Sequence, residues 1–262
     1  QFAEALGIPV EDTIPTVVDT DGVGYTSMTA GSGVQFKTGW AAYKAAEDIK
    51  TQVKERASLI WDLPVKLIEY SDGVLYSKTD RGQTLTFREI AALLNETGGP
   101  IIGRGNVNPG GVGASVTANI IDVEIDLETG KISILRCTAF QDPGRAIHPS
   151  YVEGQMQGGT VQGIGWALNE EYFIGSNGEM LNNSFLDYRM PTSLDVPMID
   201  TMIVEVPNPG HPFGVRGVGE ASIIPPLAAV ANALRDAGGI RMMTLPLSPN
   251  SVLDALSANE QS

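Results

Sequence analysis

The feature that most restricts the fold is a run of alternating side chains on both sides of a turn. Ser115 to Ile125 alternates polar and apolar residues, Glu128-Thr129-Gly130 reverses the chain, and Lys131 to Phe140 returns in the same rhythm. A period of two specifies strands with one buried face, so this stretch predicts a long β-hairpin. Elsewhere the period changes. From Val34 to Leu59, Phe36, Trp40, Tyr43, Ala46, Ile49 and Val53 recur every three or four positions, with Lys and Glu between them, as on a helix half-exposed to water. Trp61 to Tyr70 and Val74 to Tyr76 read as a second hairpin around Ser71-Asp72-Gly73. Thr84 to Leu94 reads as a short helix, with Thr86 as N-cap and Glu89 three residues on completing a capping box. Gly154 to Leu168 predicts a closely packed glycine-rich helix and Ile199 to Val206 a strand. Ile223 to Leu234 predicts a buried helix, with Pro225 and Pro226 in its first turn, where a missing N–H costs little. Such an irregular order predicts α+β, with mixed sheets and packed helices, rather than a doubly wound sheet. The glycine-rich run 98–113 marks a boundary between a first α+β subdomain, 1–113, and a second, 114–262.

Of the 262 residues 42% are hydrophobic, enough for a sizeable core, and the 30 Gly and 16 Pro are dispersed, as in a loop-rich globular protein. A net charge of −14 argues against nucleic acid and against an anionic membrane surface as partners. Cys137 is the only cysteine, so no internal disulfide can form, which fits a reducing, cytoplasmic setting. With 2 His and 1 Cys, and neither CxxC nor HExxH, the chain lacks ligands for a zinc site or an iron–sulfur cluster. A metal working here would have to arrive with a cofactor. No apolar run is long enough to span a bilayer. The chain opens on Gln1 and enters a helical pattern at once, ending at Gly7-Ile8-Pro9, and it reads as entered part-way.

Chemistry concentrates in glycine-rich segments, each with two readings. Thr29-Ala30-Gly31-Ser32-Gly33 precedes the long helix, where free N–H groups and the helix dipole favour an anion; a plain capping loop is the other reading. Gly103 to Gly113 reads as a flexible connection. Glu153 to Gly163 combines glycines with Gln155 and Gln162, which share a helical face and can offer amides to a heterocycle; close helix packing explains the glycines equally. Gly214-Val215-Arg216-Gly217-Val218-Gly219-Glu220 ends in a carboxylate before an apolar helix, either a general base or a helix-dipole partner. His148 and His211 precede Pro in loops and read as structural or exposed.

In their order, several segments resemble the molybdenum-binding subunits of the xanthine dehydrogenase/aldehyde oxidase family. They are Asp19-Thr20-Asp21, the Thr29–Ser32 loop with its helix, the strand Ile121–Gly130, and Asp142-Pro143-Gly144-Arg145-Ala146-Ile147-His148-Pro149. To these add Gly154–Gly165, Asp187-Tyr188-Arg189-Met190-Pro191-Thr192 and Gly217-Val218-Gly219-Glu220. The resemblance covers essentially the whole chain. It implies a molybdopterin-dependent oxidoreductase that hydroxylates an N-heterocycle, purine- or nicotinate-like, or an aldehyde with oxygen from water. Glu220 would be the base beside molybdenum. Gly31 would pack its backbone against the metal's ligands, with Thr29 and Ser32 near the pterin phosphate and Ala30 in the same loop. Gln155 would hydrogen-bond the pterin, with Gln162 and Gly219 as neighbours. No protein side chain would ligate the metal.

The resemblance further implies the cytosine dinucleotide form of the cofactor, and 2Fe-2S clusters and FAD on partner chains. Those partners would be the remaining half of the molybdenum subunit, an iron–sulfur subunit and a flavin subunit. In the family an earlier half of the subunit completes the metal site, so this chain would be a fragment or one part of a split subunit. His148 stands where the family pattern has Asn. Carbon monoxide oxidation, aryl-thioester reduction and a non-catalytic scaffold are the alternative readings. Arg216 would orient an anionic substrate or form an ion pair at the surface or with the cofactor.

Overall fold

The computed structural model describes residues 1–26 and 28–260. The fold is α+β, the described residues forming two three-stranded sheets, and the chain divides into two compact units. The first comprises Gln1–Val112 with Pro209–Phe213, and the second Gly113–Asn208 with Gly214–Ser262.

In the first unit a short helix α1 (Phe2–Leu6) ends at Gly7 in the left-handed conformation, and the long helix α2 (Val34–Trp61) follows. Val53 and Ala57 on α2 pack with Ile68, Leu75 and Ile90 into a small core. Strands β1 (Ile68–Ser71), β2 (Val74–Ser77) and β3 (Thr84–Thr86) form an antiparallel sheet. Asp72 and Gly73, at φ 47° and 77°, make the turn that an Asp-Gly pair favours. The first strand is shorter than the sequence predicts, because Pro64 leads into a turn of 3-10 helix at Val65–Leu67. Helix α3 (Phe87–Ala92) carries the capping box: Thr86 accepts from the Glu89 N–H, and the Glu89 carboxylate accepts from the Thr86 N–H. The expected flexible connection is, at its start, a packed one. A Cβ on Gly103 would come within 2.5 Å of Ala45 O, and one on Gly105 would overlap Ala41 O, so both glycines let this segment lie flat on α2. His211 is structural: it is 5% exposed, its ring lies 4.7 Å from that of Phe36, and its Nε2 stands 3.1 Å from Phe36 O.

In the second unit β4 (Thr117–Ile125) and β5 (Ile132–Gln141) form the hairpin, with a bulge at Asp122/Val123. Helix α4 (Pro149–Leu168) crosses over to β6 (Ile199–Ile203), which pairs parallel with β5. Helix α5 (Ile224–Gly238) packs on β4 and on α4, and α6 (Pro249–Glu260), which the sequence reading missed, buries Val252 in the same core. Gly130, at φ 70°, lets the hairpin turn meet α6 closely, since a Cβ there would overlap Pro249 O.

Cys137 lies at the centre of this core and is fully buried. Burial pushes its thiol up to about 11, the nearby Asp200 carboxylate adds to this, and the Asn119 amide opposes it. The folded state therefore favours the neutral thiol; that preference is complete below the ordinary thiol range and is lost as pH rises through about 11. Iodoacetamide at pH ~8 should leave Cys137 unmodified in the native protein and alkylate it in urea. Labelling at equal rates in both states, followed by mass spectrometry, would contradict this burial.

Candidate active site

The loop 214–220 is held by the Asp142–Arg145 segment, one of the motifs in the sequence. Arg145 N–H donates to Gly214 O at 2.9 Å, Arg216 N–H donates to Pro143 O at 2.8 Å, and Gly144 forms a bridge with Val215. Gly144 has φ 69°, and a Cβ there would strike Gly214 O, so glycine is required twice over. Asp142 Oδ1 accepts from the N–H groups of Gly144 at 2.8 Å and Val206 at 3.2 Å. Its Oδ2 faces Arg216 Nε at 3.2 Å, a charge contact without hydrogen-bond alignment. The Arg216 guanidinium also donates to Ala114 O at 2.8 Å and Val206 O at 3.4 Å. Arg216 thus makes its ion pair within the fold, with Asp142, both side chains being largely buried.

Glu220 ends this loop, with an exposed side chain, and opens a 3-10 turn (Ala221–Ile223) that leads into α5. Its flanks are tied to three other elements. Gln141 Nε2 donates to Val218 O at 2.9 Å, Thr117 Oγ1 donates to Ala221 O at 3.2 Å, and Ser222 Oγ donates to Gln155 O at 3.4 Å. Thr117 and Gln141 are direct partners across β4 and β5. The sequence reading missed both. The available signal was Gln141 itself, a polar residue in the core-facing series Cys137, Ala139, Gln141.

Helix α4 separates the two explanations of its glycines. A Cβ on Gly159 would come within 2.7 Å of Ser222 Oγ, and one on Gly163 within 2.5 Å of Ile223 O, so these two serve close packing. Gly154 and Gly158 do not: a Cβ at either would meet nothing within 4 Å. They lie on an exposed face with Gln155 and Gln162. Each glycine inside a helix costs about 1 kcal/mol relative to alanine. Packing within the chain offsets that cost at 159 and 163 and leaves it standing at 154 and 158.

Thr29, Ala30, Gly31 and Ser32 belong to the first unit, Gln155, Gln162, Gly219 and Glu220 to the second. In the first loop Gly31 and Ser32 are both left-handed, at φ 63° and 54°. A left-handed non-glycine residue costs roughly 1–2 kcal/mol, a cost that Asp62 at the end of α2 and Asp72 in the hairpin turn also carry. Gly33 follows as N-cap of α2, whose first-turn N–H groups point out of the helix. A Cβ on Gly31 would meet nothing within 4 Å. A cleft of about 440 Å³ in the second unit, lined by Lys131, Ser133, Asn169 and Asp195 among others, contains none of the candidate residues. Among the described residues no group of three His, Cys, Asp or Glu side chains could hold a metal ion, and no helix is long and apolar enough to cross a membrane. The candidate positions of the first unit offer hydroxyls and backbone N–H groups, and those of the second carboxamides and a carboxylate.

Comparison with known proteins shows the family. Residues 1–197 match the molybdopterin cofactor-binding domain family. The putative xanthine dehydrogenase molybdenum-binding subunit of Escherichia coli strain K12 is 29% identical, over 96% of this chain and 34% of its own length. The 6-hydroxypseudooxynicotine dehydrogenase complex subunit gamma of Paenarthrobacter nicotinovorans is 34% identical over 95% of this chain and 33% of its own. Among solved structures, the reconstituted carbon monoxide dehydrogenase from Oligotropha carboxidovorans superposes with a TM-score of 0.84 at 26% identity, covering 98% of this chain and 34% of that one. The chain belongs to the xanthine dehydrogenase/aldehyde oxidase family of molybdenum hydroxylases and carries its molybdopterin cofactor-binding domain. It spans about a third of the length of these relatives.

Proposed function

We propose that this chain is the C-terminal part of the molybdenum subunit of a hydroxylase that oxidises an N-heterocycle, purine- or nicotinate-like, or an aldehyde with water-derived oxygen. The observation that carries the reading is the exposed face of α4. Its two open glycines, Gly154 and Gly158, cost helix stability without a packing partner, and Gln155 and Gln162 are exposed beside them. Ser222 joins this face to the Glu220 turn.

The roles follow from the chemistry of each group. Gln155 and Gln162 present both donors and acceptors to the edge of a pterin. Thr29, Ala30, Gly31 and Ser32, at the start of α2, receive the cofactor phosphate, where free N–H groups and the helix dipole meet an anion. Gly219, next to Glu220, belongs to the cofactor-binding set. When bound, the molybdenum cofactor supplies a Lewis-acidic centre able to take two electrons. Glu220 takes a proton onto a carboxylate oxygen as the water-derived oxygen attacks the substrate carbon. The cofactor in this reading is the cytosine dinucleotide form. The partners are the remaining part of the molybdenum subunit, an iron–sulfur subunit with 2Fe-2S clusters and an FAD subunit, in the cytoplasm. The likeness to a carbon monoxide dehydrogenase favours carbon monoxide oxidation as the second reading.

Elemental analysis of the isolated chain and of the complex purified from its native source tests the cofactor assignment. Molybdenum is expected in the complex and not in the chain alone. An intact complex without molybdenum, made in cells that synthesise the cofactor, would shift the assignment to a non-catalytic scaffold. Dye reduction by the loaded complex with hypoxanthine, nicotinate, benzaldehyde or carbon monoxide separates the two reactions.

A further inference from the structure

We infer that Gln141 and Thr117 are positioning residues that clamp the Glu220 turn, an inference that rests on Glu220 as the base. Gln141 is 1% exposed, at a strand position whose neighbours in the same series, Cys137 and Ala139, are apolar and buried. An apolar residue would suit that place better, since the Gln141 Oε1 is buried without a protein partner. The amide's other end explains its presence. Nε2 donates to Val218 O at 2.9 Å, with Ser115 Oγ at 3.4 Å. The residue opposite it in register, Thr117, donates to Ala221 O at 3.2 Å.

One register position of the hairpin thus grips the carbonyls on either side of Gly219-Glu220. Glycines at 217 and 219 give this turn unusual backbone freedom, and the two bonds remove it. A base must lie within hydrogen-bond reach of its proton, and a misplacement of about 1 Å can cost roughly 10²-fold in rate.

The test uses the assembled, molybdenum-loaded complex carrying Gln141→Met, Thr117→Val, or both, and has two readouts. In hydrogen-exchange mass spectrometry, amides of residues 217–222 should exchange about tenfold faster, while those of 149–168 keep their wild-type rates. In steady-state kinetics with whichever of hypoxanthine, nicotinate or benzaldehyde the wild type oxidises, kcat should fall about 10- to 100-fold with KM nearly unchanged. Thr117→Ser keeps the hydroxyl and should restore both. Exchange and kcat close to wild type in the double variant, with Glu220→Gln inactive, would overturn the clamp and leave the base in place. Normal turnover by Glu220→Gln would overturn both together. Faster exchange spread through the whole second unit would mark a merely structural role and also count against the clamp. Should Gln141→Met fail to fold, the near-isosteric Thr117→Val decides alone.

Discussion

Replacing Glu220 by Gln in the loaded complex should reduce kcat by about 10²- to 10⁴-fold while molybdenum and pterin remain bound in wild-type amounts. The substitution keeps the size and hydrogen-bonding reach of the side chain and removes only its ability to take up a proton at neutral pH. The exposed position of Glu220 makes a folding defect an unsuitable explanation for such a loss. Turnover near the wild-type rate, measured beside metal content, would remove Glu220 from the chemistry. Glu220→Ala separates the possibilities less well, because Glu220 is also the residue at which the turn into α5 begins.

The second large effect concerns stability. Asp142→Ala should destabilise the fold by about 3–5 kcal/mol, read as a lower urea midpoint with an unchanged slope. Two losses combine. The N–H groups of Gly144 and Val206 lose their acceptor, and Arg216, whose side chain is 15% exposed, keeps a charge without its partner. Asp142→Asn retains an oxygen for the two N–H groups and loses only the charge, so it should cost clearly less. Equal losses in the two variants would mean that the ion pair, rather than the loop hydrogen bonds, dominates; no loss in either would show that this segment does not anchor the loop.

The hairpin, the long helix α2, the capping box of α3 and the proline-initiated helix α5 were all legible, because each rests on local periodicity or capping. The shorter β1 and the missed α6 show the limit of that approach. Pro64 and its turn override an apolar run, and α6 is too weakly patterned to stand out before its partner, the hairpin turn at Gly130, is known. At the site, spacing alone could rank neither reading of the glycines in α4. Their functions divide residue by residue, and only the neighbours across space distinguish 159 and 163 from 154 and 158. The same holds for Gln141, whose partner Val218 lies 77 residues away in the chain.

The division among the α4 glycines sets stability and occupancy against each other. At 159 and 163 a methyl group would be rejected by the fold itself. At 154 and 158 the fold would accept it, and the helix would gain about 1 kcal/mol at each position. Engineering of this chain for thermal tolerance, judged by melting alone, would therefore choose alanine at those two places. Each gain would add one carbon to the face that carries Gln155 and Gln162, so if that face receives the cofactor as proposed, the hardier protein would be the one less able to take it up.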